Sequence, residues 1–283
     1  PTRHHNLSLL LMPYRPGKPY CRGSFSVVFT FIMDRASGRP GGNRAPFLSI
    51  IVPAFNEARR LLATLDRLVS FAGSRPFDTE VLVVDNASTD STKSVVMEFA
   101  ARSPVVRYLH ESTQGKGAAV RTGIMAASGE YLVICDADMA VPIEKVDRFL
   151  PPRLLDFDIA IGSRGAEGAK RYGEPYHRHL MGRVFNLIVR VVILPGLQDT
   201  QCGFKAFRRD VARDLFPAGR IDGWSFDAEI LYIAKSRGYL IVEVPVRWYY
   251  GDESKIRPLQ DTFRMLGEIL TIRGNGKRGL YRD

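Results

Sequence analysis

Phe47-Leu48-Ser49-Ile50-Ile51-Val52-Pro53-Ala54-Phe55-Asn56-Glu57 is where the chain changes character. A short apolar run, Phe47–Val52, predicts a strand. Glu57–Phe71 then places Leu61, Leu62, Leu65, Leu68 and Val69 on one helical face. The alternation repeats downstream. Glu80–Val84 reads as a strand and Ser91–Ala101 as a helix, followed by Val105–Leu109 as a strand and Lys116–Ala127 as a helix. Glu130–Cys135 is hydrophobic nearly throughout, as a parallel strand covered on both faces is. Ile159–Gly162 continues the series. Strands alternating with amphipathic helices predict an α/β fold around a mostly parallel central sheet.

Working outward, the alternation weakens beyond Gly162. A helix over Tyr176–Leu194 carries Leu180, Val184, Leu187, Ile188 and Val191 along one flank and Arg178, Arg183 and Arg190 elsewhere. Two readings stand: a helix lying on a membrane, or a core helix whose arginines reach solvent. Phe226–Ser236 reads as a helix, Leu240–Val246 as a late strand and Leu259–Ile272 as a last amphipathic helix, with a Gly-rich basic tail after Arg273.

The 283 residues are 45% hydrophobic and 10% aromatic, which excludes a disordered or fibrous chain. The formal charge of +10 is unevenly placed. Residues 1–46 hold seven basic side chains and one acidic, residues 255–283 hold seven and three, and the middle has 26 of each. A neutral middle with basic ends argues against a nucleic-acid reader, whose charge forms a face of the fold, and suits an anionic lipid surface. Cys21, Cys135 and Cys202 are too few and too scattered for a disulfide framework or a CxxC metal site. They point to a reducing compartment, the cytosol by default. The longest apolar runs, Phe25–Met33 and Leu187–Leu194, fall far short of the ~20 residues that span a bilayer. Residues 1–46 are therefore expected to be a basic extension, disordered or preceding a true start at Met33, and 47–255 a catalytic domain. Residues 256–283 are expected to form the amphipathic helix and basic tail. The competing reading of the extension is a peripheral anchor through Phe25, Val27, Phe29 and Phe31.

In an open α/β sheet, ligands gather beyond the carboxyl ends of the strands. Those positions are polar here: Asn56-Glu57 after the first strand, Asp85-Asn86-Ala87-Ser88-Thr89-Asp90 after the second, and Asp136-Ala137-Asp138 after the fourth. Two carboxylates one residue apart where a buried strand ends suit a divalent cation that also binds phosphate oxygens; the bland alternative is a solvated turn or helix cap. Gly115-Lys116-Gly117 before a helix resembles a phosphate-binding turn, with Lys116 facing a pyrophosphate or Asp136, but it is not the G-x-x-x-x-G-K-[ST] loop of nucleoside triphosphatases. His177 and His179 point to different helical faces, so a shared metal is not expected. GxGxxG after the first strand, G-x-S-x-G and H-E-x-x-H are all missing, which removes the dehydrogenase, serine-hydrolase and zinc-protease readings.

These stretches, in this order and with Gly162-Ser163-Arg164, resemble glycosyltransferase family 2 with its GT-A fold, a Rossmann-like nucleotide-sugar-binding fold. Asp199-Thr200-Gln201-Cys202-Gly203-Phe204-Lys205, Trp224-Ser225-Phe226-Asp227-Ala228-Glu229 and Val244-Pro245-Val246-Arg247-Trp248 narrow the resemblance to its dolichyl-phosphate β-glucosyltransferase branch and bacterial polyprenyl-phosphate relatives. The resemblance implies a nucleotide-sugar donor, UDP-glucose, bound by Pro53, Ala54, Phe55, Glu57, Asp85, Lys116, Asp136, Ala137, Asp138 and Arg164. It implies Mg2+ or Mn2+ on Asp136 and Asp138, catalytic roles for Asp136, Asp138 and Asp227, and a polyprenyl phosphate acceptor met by Arg164, Lys205 or Lys255. Transfer would invert the anomeric centre, at the cytoplasmic face of a membrane contacted peripherally, with no nucleic-acid partner. A phosphate acceptor needs no base, so Asp227 is a candidate for orientation as much as for proton transfer.

Two departures bear on substrate. Arg247-Trp248 follows Val244 where the polymer synthases have Gln, which disfavours polymer synthesis. Ala140 stands where mannosyl-phosphate synthases often place a Gln ligand, which disfavours GDP-mannose. The alternatives are a soluble family-2 transferase acting on a hydroxyl, a mannosyltransferase, and a basic nucleic-acid- or membrane-binding protein without activity.

Overall fold

The computed structural model describes residues 45–251 and 258–282. The extension with its Phe25–Phe31 anchor reading, Cys21 and Met33, and Lys255 with Ser254 and Arg257, lie outside the described residues.

Nine strands and seven α-helices are assigned among the described residues: β1 (Leu48–Ala54), α1 (Ala58–Gly73), β2 (Thr79–Asp85), α2 (Thr92–Arg102), β3 (Val106–His110), α3 (Lys116–Ala126), β4 (Tyr131–Ile134), β5 (Ile159–Ser163), β6 (Lys170–Tyr172), α4 (Tyr176–Val192), β7 (Lys205–Arg208), α5 (Arg209–Leu215), α6 (Phe226–Ser236), β8 (Ile241–Pro245), β9 (Arg247–Tyr249) and α7 (Pro258–Lys277). The main sheet runs β3-β2-β1-β4-β7-β5-β8. All neighbours are parallel except β7, which is antiparallel to both β4 and β5. A second, parallel pair joins β6 to β9. The chain builds outward from β1 through β2 and β3, then returns to lay β4 on the other side of β1. That reversal opens a crevice at the carboxyl ends of β1 and β4.

Side-chain alternation on the strands makes two cores. Leu48, Ile50 and Val52 of β1 pack with Leu61, Leu65 and Leu68 of α1 on one face. Ile51 packs on the other with Val120 and Ile124 of α3. Both faces are covered, which is why these strands read as continuous apolar runs.

The structure corrects the expected elements in three places. Strands β6, β7 and β9 are three or four residues long, begin or end in Lys or Arg, and carry no apolar run to betray them. The last helix does not stop at Ile272 and no free tail follows Arg273. It continues to Lys277, and within it Gly276 lies against the Tyr232 ring, where an added Cβ would meet the phenol oxygen at 2.1 Å. Tyr281 then turns back into the core, 2% exposed, and donates to Glu229 Oε1 at 2.6 Å. The second Glu229 oxygen accepts the Arg220 and Ile221 amides, both at 2.8 Å. Thus Tyr281, through Glu229, fastens the 219–225 loop. Tyr281→Phe keeps the ring and removes one donor from this buried carboxylate; a loss of about 1.5–3 kcal/mol is expected, read as a lower thermal midpoint.

Helix α4 is also unlike its core-helix reading. Tyr176, Leu180, Val184, Leu187 and Val191 form one stripe along its whole length and are 51–79% exposed. Only Val189 is fully buried. The inward face grips the next loop: Asn186 Nδ2 donates to the Gln198 carbonyl, and the Thr200 hydroxyl donates to Asn186 Oδ1 at 3.3 Å.

Candidate active site

Three turns meet at the carboxyl ends of β1, β2 and β4. Each holds one non-glycine residue in the left-handed region: Asn56 (φ 53°), Ala87 (φ 54°) and Met139 (φ 48°). Such conformations are costly for L-residues and persist where neighbouring bonds over-determine them. Asn56 shows how. Its amide donates to Ser88 Oγ at 2.9 Å, and its Oδ1 accepts the Thr89 amide at 2.8 Å. The first two turns are therefore one rigid wall.

In that wall Asp85 is 2% exposed, accepting from the Ser88 amide and from the Tyr108 hydroxyl, each at 3.0 Å. Burial and the Asp85 carboxylate push the Tyr108 phenol up to about 12. Pro53 and Ala54 end β1, Phe55 is 40% exposed, and Glu57 pairs with Arg60 at 2.8 Å.

The third turn carries the acidic pair. The buried Thr64 hydroxyl donates to the Ala137 carbonyl at 2.7 Å, and the Ala140 amide to Asp138 Oδ1 at 3.0 Å. Surrounding protein, and then the Asp136 carboxylate, raise the Asp138 pKa above the ordinary carboxylate range. Asp138 still reaches solvent, so the like-charge repulsion is the part a cation would reverse. Two hard oxygen donors under mutual repulsion fit Mg2+ or Mn2+. Among the described residues no group of three or more His, Cys, Asp or Glu surrounds a metal position.

Asp136 is held from two sides. Its Oδ1 lies 2.6 Å from Lys116 Nζ, and Gly203 backs it so closely that an added Cβ would meet Oδ2 at 2.0 Å. Burial works against the Lys116 charge, but Asp136 and then Asp227 outweigh it and raise its pKa.

The glycines around Lys116 do not make a phosphate cradle. The Gly117 and Ala118 amides both donate to the Asp222 carbonyl, at 2.8 and 3.3 Å, and the Gly115 amide donates to Asn86 Oδ1 at 2.8 Å. A Cβ on Gly115 would sit 2.1 Å from the Asp222 oxygen, and Gly115 has φ 142°. The glycines admit the 219–225 loop, whose backbone occupies the helix terminus that an anion would otherwise use.

Asp227, in the first turn of α6, is buried. Its carboxylate lies 2.7 Å from the ammonium of Lys205, itself 1% exposed. Lys205 is thus not presented to an acceptor, contrary to expectation. Arg164 is likewise committed: Nε and Nη2 reach Asp199 at 2.7 and 2.9 Å, and the guanidinium lies over the Trp248 ring, 5.4 Å from its centroid. Burial opposes both charges, yet the pair holds Arg164 above and Asp199 well below their ordinary ranges. Asp136, Ala140, Val141, Cys202, Gly203, Phe204 and Trp248 line a small cavity beside this group. His179 pairs with Glu174 at 3.0 Å.

The site thus brings together Asp85, Lys116, Asp136, Asp138 and Asp227 and turns Arg164 and Lys205 toward protein partners. Sequence reading assigned no role to Asp199, Gly203 or Asp222. For Gly203 a signal existed, as a glycine inside a motif marks close approach. For Asp222 none did, since its backbone carbonyl does the work.

The match to known proteins agrees with this geometry. The family model described as glycosyl transferase family 2 matches residues 49–216. A dolichyl-phosphate beta-glucosyltransferase of Drosophila melanogaster is 36% identical over 240 residues, 80% of this chain and 74% of that protein. The Homo sapiens protein of the same name is 34% identical over 250 residues, 83% and 77%. Among solved structures, Mycobacterium tuberculosis glucosyl-3-phosphoglycerate synthase with phosphoglyceric acid superposes at a TM-score of 0.61, 18% identical, covering 90% of this chain and 86% of that one. The same enzyme with Mn2+ and uridine-diphosphate-glucose gives 0.59 at 19% identity, 92% and 84%. These neighbours share the GT-A-like α/β fold. No described helix is long and apolar enough to cross a membrane. With the family model running from β1 through the acidic turn and β7, and relatives above 30% identity over four-fifths of its length, this chain belongs to glycosyltransferase family 2.

Proposed function

We propose that the enzyme transfers glucose from UDP-glucose to a polyprenyl phosphate, such as dolichyl phosphate, with inversion at the anomeric carbon. The observation that carries the reading is the acidic turn, with Asp136 fixed between Lys116 and Gly203 and Asp138 beside it. Asp136 and Asp138 would hold Mg2+ or Mn2+, which when bound stabilises the negative charge of the departing diphosphate. Lys116 adds a fixed positive charge at the same place. The Asn56–Thr89 wall and Asp85 orient the nucleoside. Asp227, across Lys116 from Asp136, orients the reacting sugar and acceptor. A phosphate monoester, with its second pKa near ~6, is already a nucleophile at neutral pH, so no proton has to be taken from it. Arg164 and Lys255 remain candidates for the acceptor phosphate; Arg164 would first exchange part of its hold on Asp199. At Ala140 the side chain brings no metal ligand, which supports a glucose over a mannose donor.

A lipid acceptor requires access to a bilayer. The exposed stripe of α4, with Arg183 and Arg190 at its margin and no acidic residue on the helix, supports peripheral attachment at a cytoplasmic membrane face. Leu187→Glu with Val191→Glu is expected to abolish flotation with anionic vesicles while leaving transfer to a short-chain, detergent-dispersed acceptor unchanged. Flotation equal to wild type would remove α4 from the interface.

The test of the activity is direct. Labelled UDP-glucose with polyprenyl phosphate and Mg2+ or Mn2+ is expected to carry label into the organic phase, and chelation should stop it. Label appearing only on hydroxyl acceptors would overturn the lipid reading.

A further inference from the structure

We infer that Lys205 is a positioning residue, whose buried ammonium joins the Asp227 carboxylate to the Cys202 carbonyl and thereby sets where Asp227 stands relative to Asp136. The inference rests on the proposed placement of Asp227 at the reacting sugar.

Lys205 opens β7, in register with Ile134 of β4 and Ile161 of β5. It therefore stands beside the strand that ends in the acidic turn, two residues before Asp136. A lysine 1% exposed between two strands is tolerated only where its charge and donors are met. One contact is Asp227 Oδ1 at 2.7 Å, and another is the Cys202 carbonyl. The residue after Cys202 is Gly203, which touches the Asp136 carboxylate. One ammonium thus ties α6, which carries Asp227, to the segment that backs Asp136. The ammonium therefore stands underneath the crevice instead of opening into it. The charged groups facing Asp227 are Lys205 from β7, Lys116 from α3 and Asp136 after β4. Burial raises the Asp227 pKa, and the two lysines oppose that rise.

Lys205→Met is expected to lower kcat by about 100-fold, the cost of misplacing an orienting group by about 1 Å, while the KM for UDP-glucose and the calorimetric affinity for UDP with Mn2+ stay within about threefold of wild type. The acid limb of its kcat profile should move to higher pH, because the largest attraction keeping Asp227 ionised is gone. A raised KM for the lipid phosphate at unchanged kcat would overturn the inference, since that marks a phosphate ligand. The double variant Lys205→Met/Asp227→Asn leaves no unpaired buried ion and guards against misfolding of the single one. It should match Asp227→Asn alone; a further tenfold loss, about 1.4 kcal/mol, would show Lys205 acting independently and overturn the inference. Asp227→Asn at wild-type kcat would sink the reading of Asp227 and this inference with it. Asp227→Asn impaired beside an unimpaired Lys205→Met would sink this inference alone.

Discussion

Asp138→Asn is expected to cut kcat about 100- to 1,000-fold and to abolish calorimetric uptake of Mn2+ in the presence of UDP. The substitution preserves size and can still accept the Ala140 amide, now bonded to Asp138 Oδ1 at 3.0 Å. What it removes is charge. The crowding that raises the Asp138 pKa disappears with it, so the protein should be no less stable in a thermal melt. A variant that loses activity, keeps its melting point and ceases to take up metal would support metal coordination by the acidic pair. Mn2+ uptake equal to wild type would refute it.

Gly203→Ala should have an effect of similar size by a different route. Its methyl group would fall 2.0 Å from Asp136 Oδ2 and 2.7 Å from the carboxyl carbon, a separation real atoms do not adopt. Asp136 is held on its other side by Lys116 at 2.6 Å, so it yields only by breaking that pair. A displacement of order 1 Å in a catalytic group costs about 100-fold in rate, and overpacking adds about 1–3 kcal/mol of destabilisation. Gly182→Ala is the matched control. It is exposed in α4, with nothing within 4 Å of the added carbon, and relief of glycine entropy in a helix should leave activity unchanged and stability slightly higher. If the two alanines behave alike, close backing of Asp136 is not what Gly203 provides.

Much of the site was legible because its residues follow strands that are hydrophobic on both faces. Leu48–Ala54, Thr79–Asp85 and Tyr131–Ile134 announce themselves, and whatever polar residues follow them must stand at the crevice. Asp85, Asp136 and Asp138 could be placed by that argument alone. Lys116 was legible as a charge at a helix start, but its glycines were misleading. Gly115 and Gly117 look the same in sequence whether they admit a phosphate or the Asp222 carbonyl, and here they admit the carbonyl.

Local pattern therefore determined the α/β class, the acidic turn and the amphipathic stripe of α4, because strand and helix periods and strand-end polarity are properties of neighbouring residues. Tertiary structure alone decided that β7 enters the sheet antiparallel, that Lys205 points beneath the crevice to Asp227, that Arg164 is held by Asp199, and that Tyr281 fastens the 219–225 loop. Each of those depends on a partner more than 20 residues away, and the free energy that selects it, the cost of burying an unpaired charge or donor, exists only once the chain has closed around it.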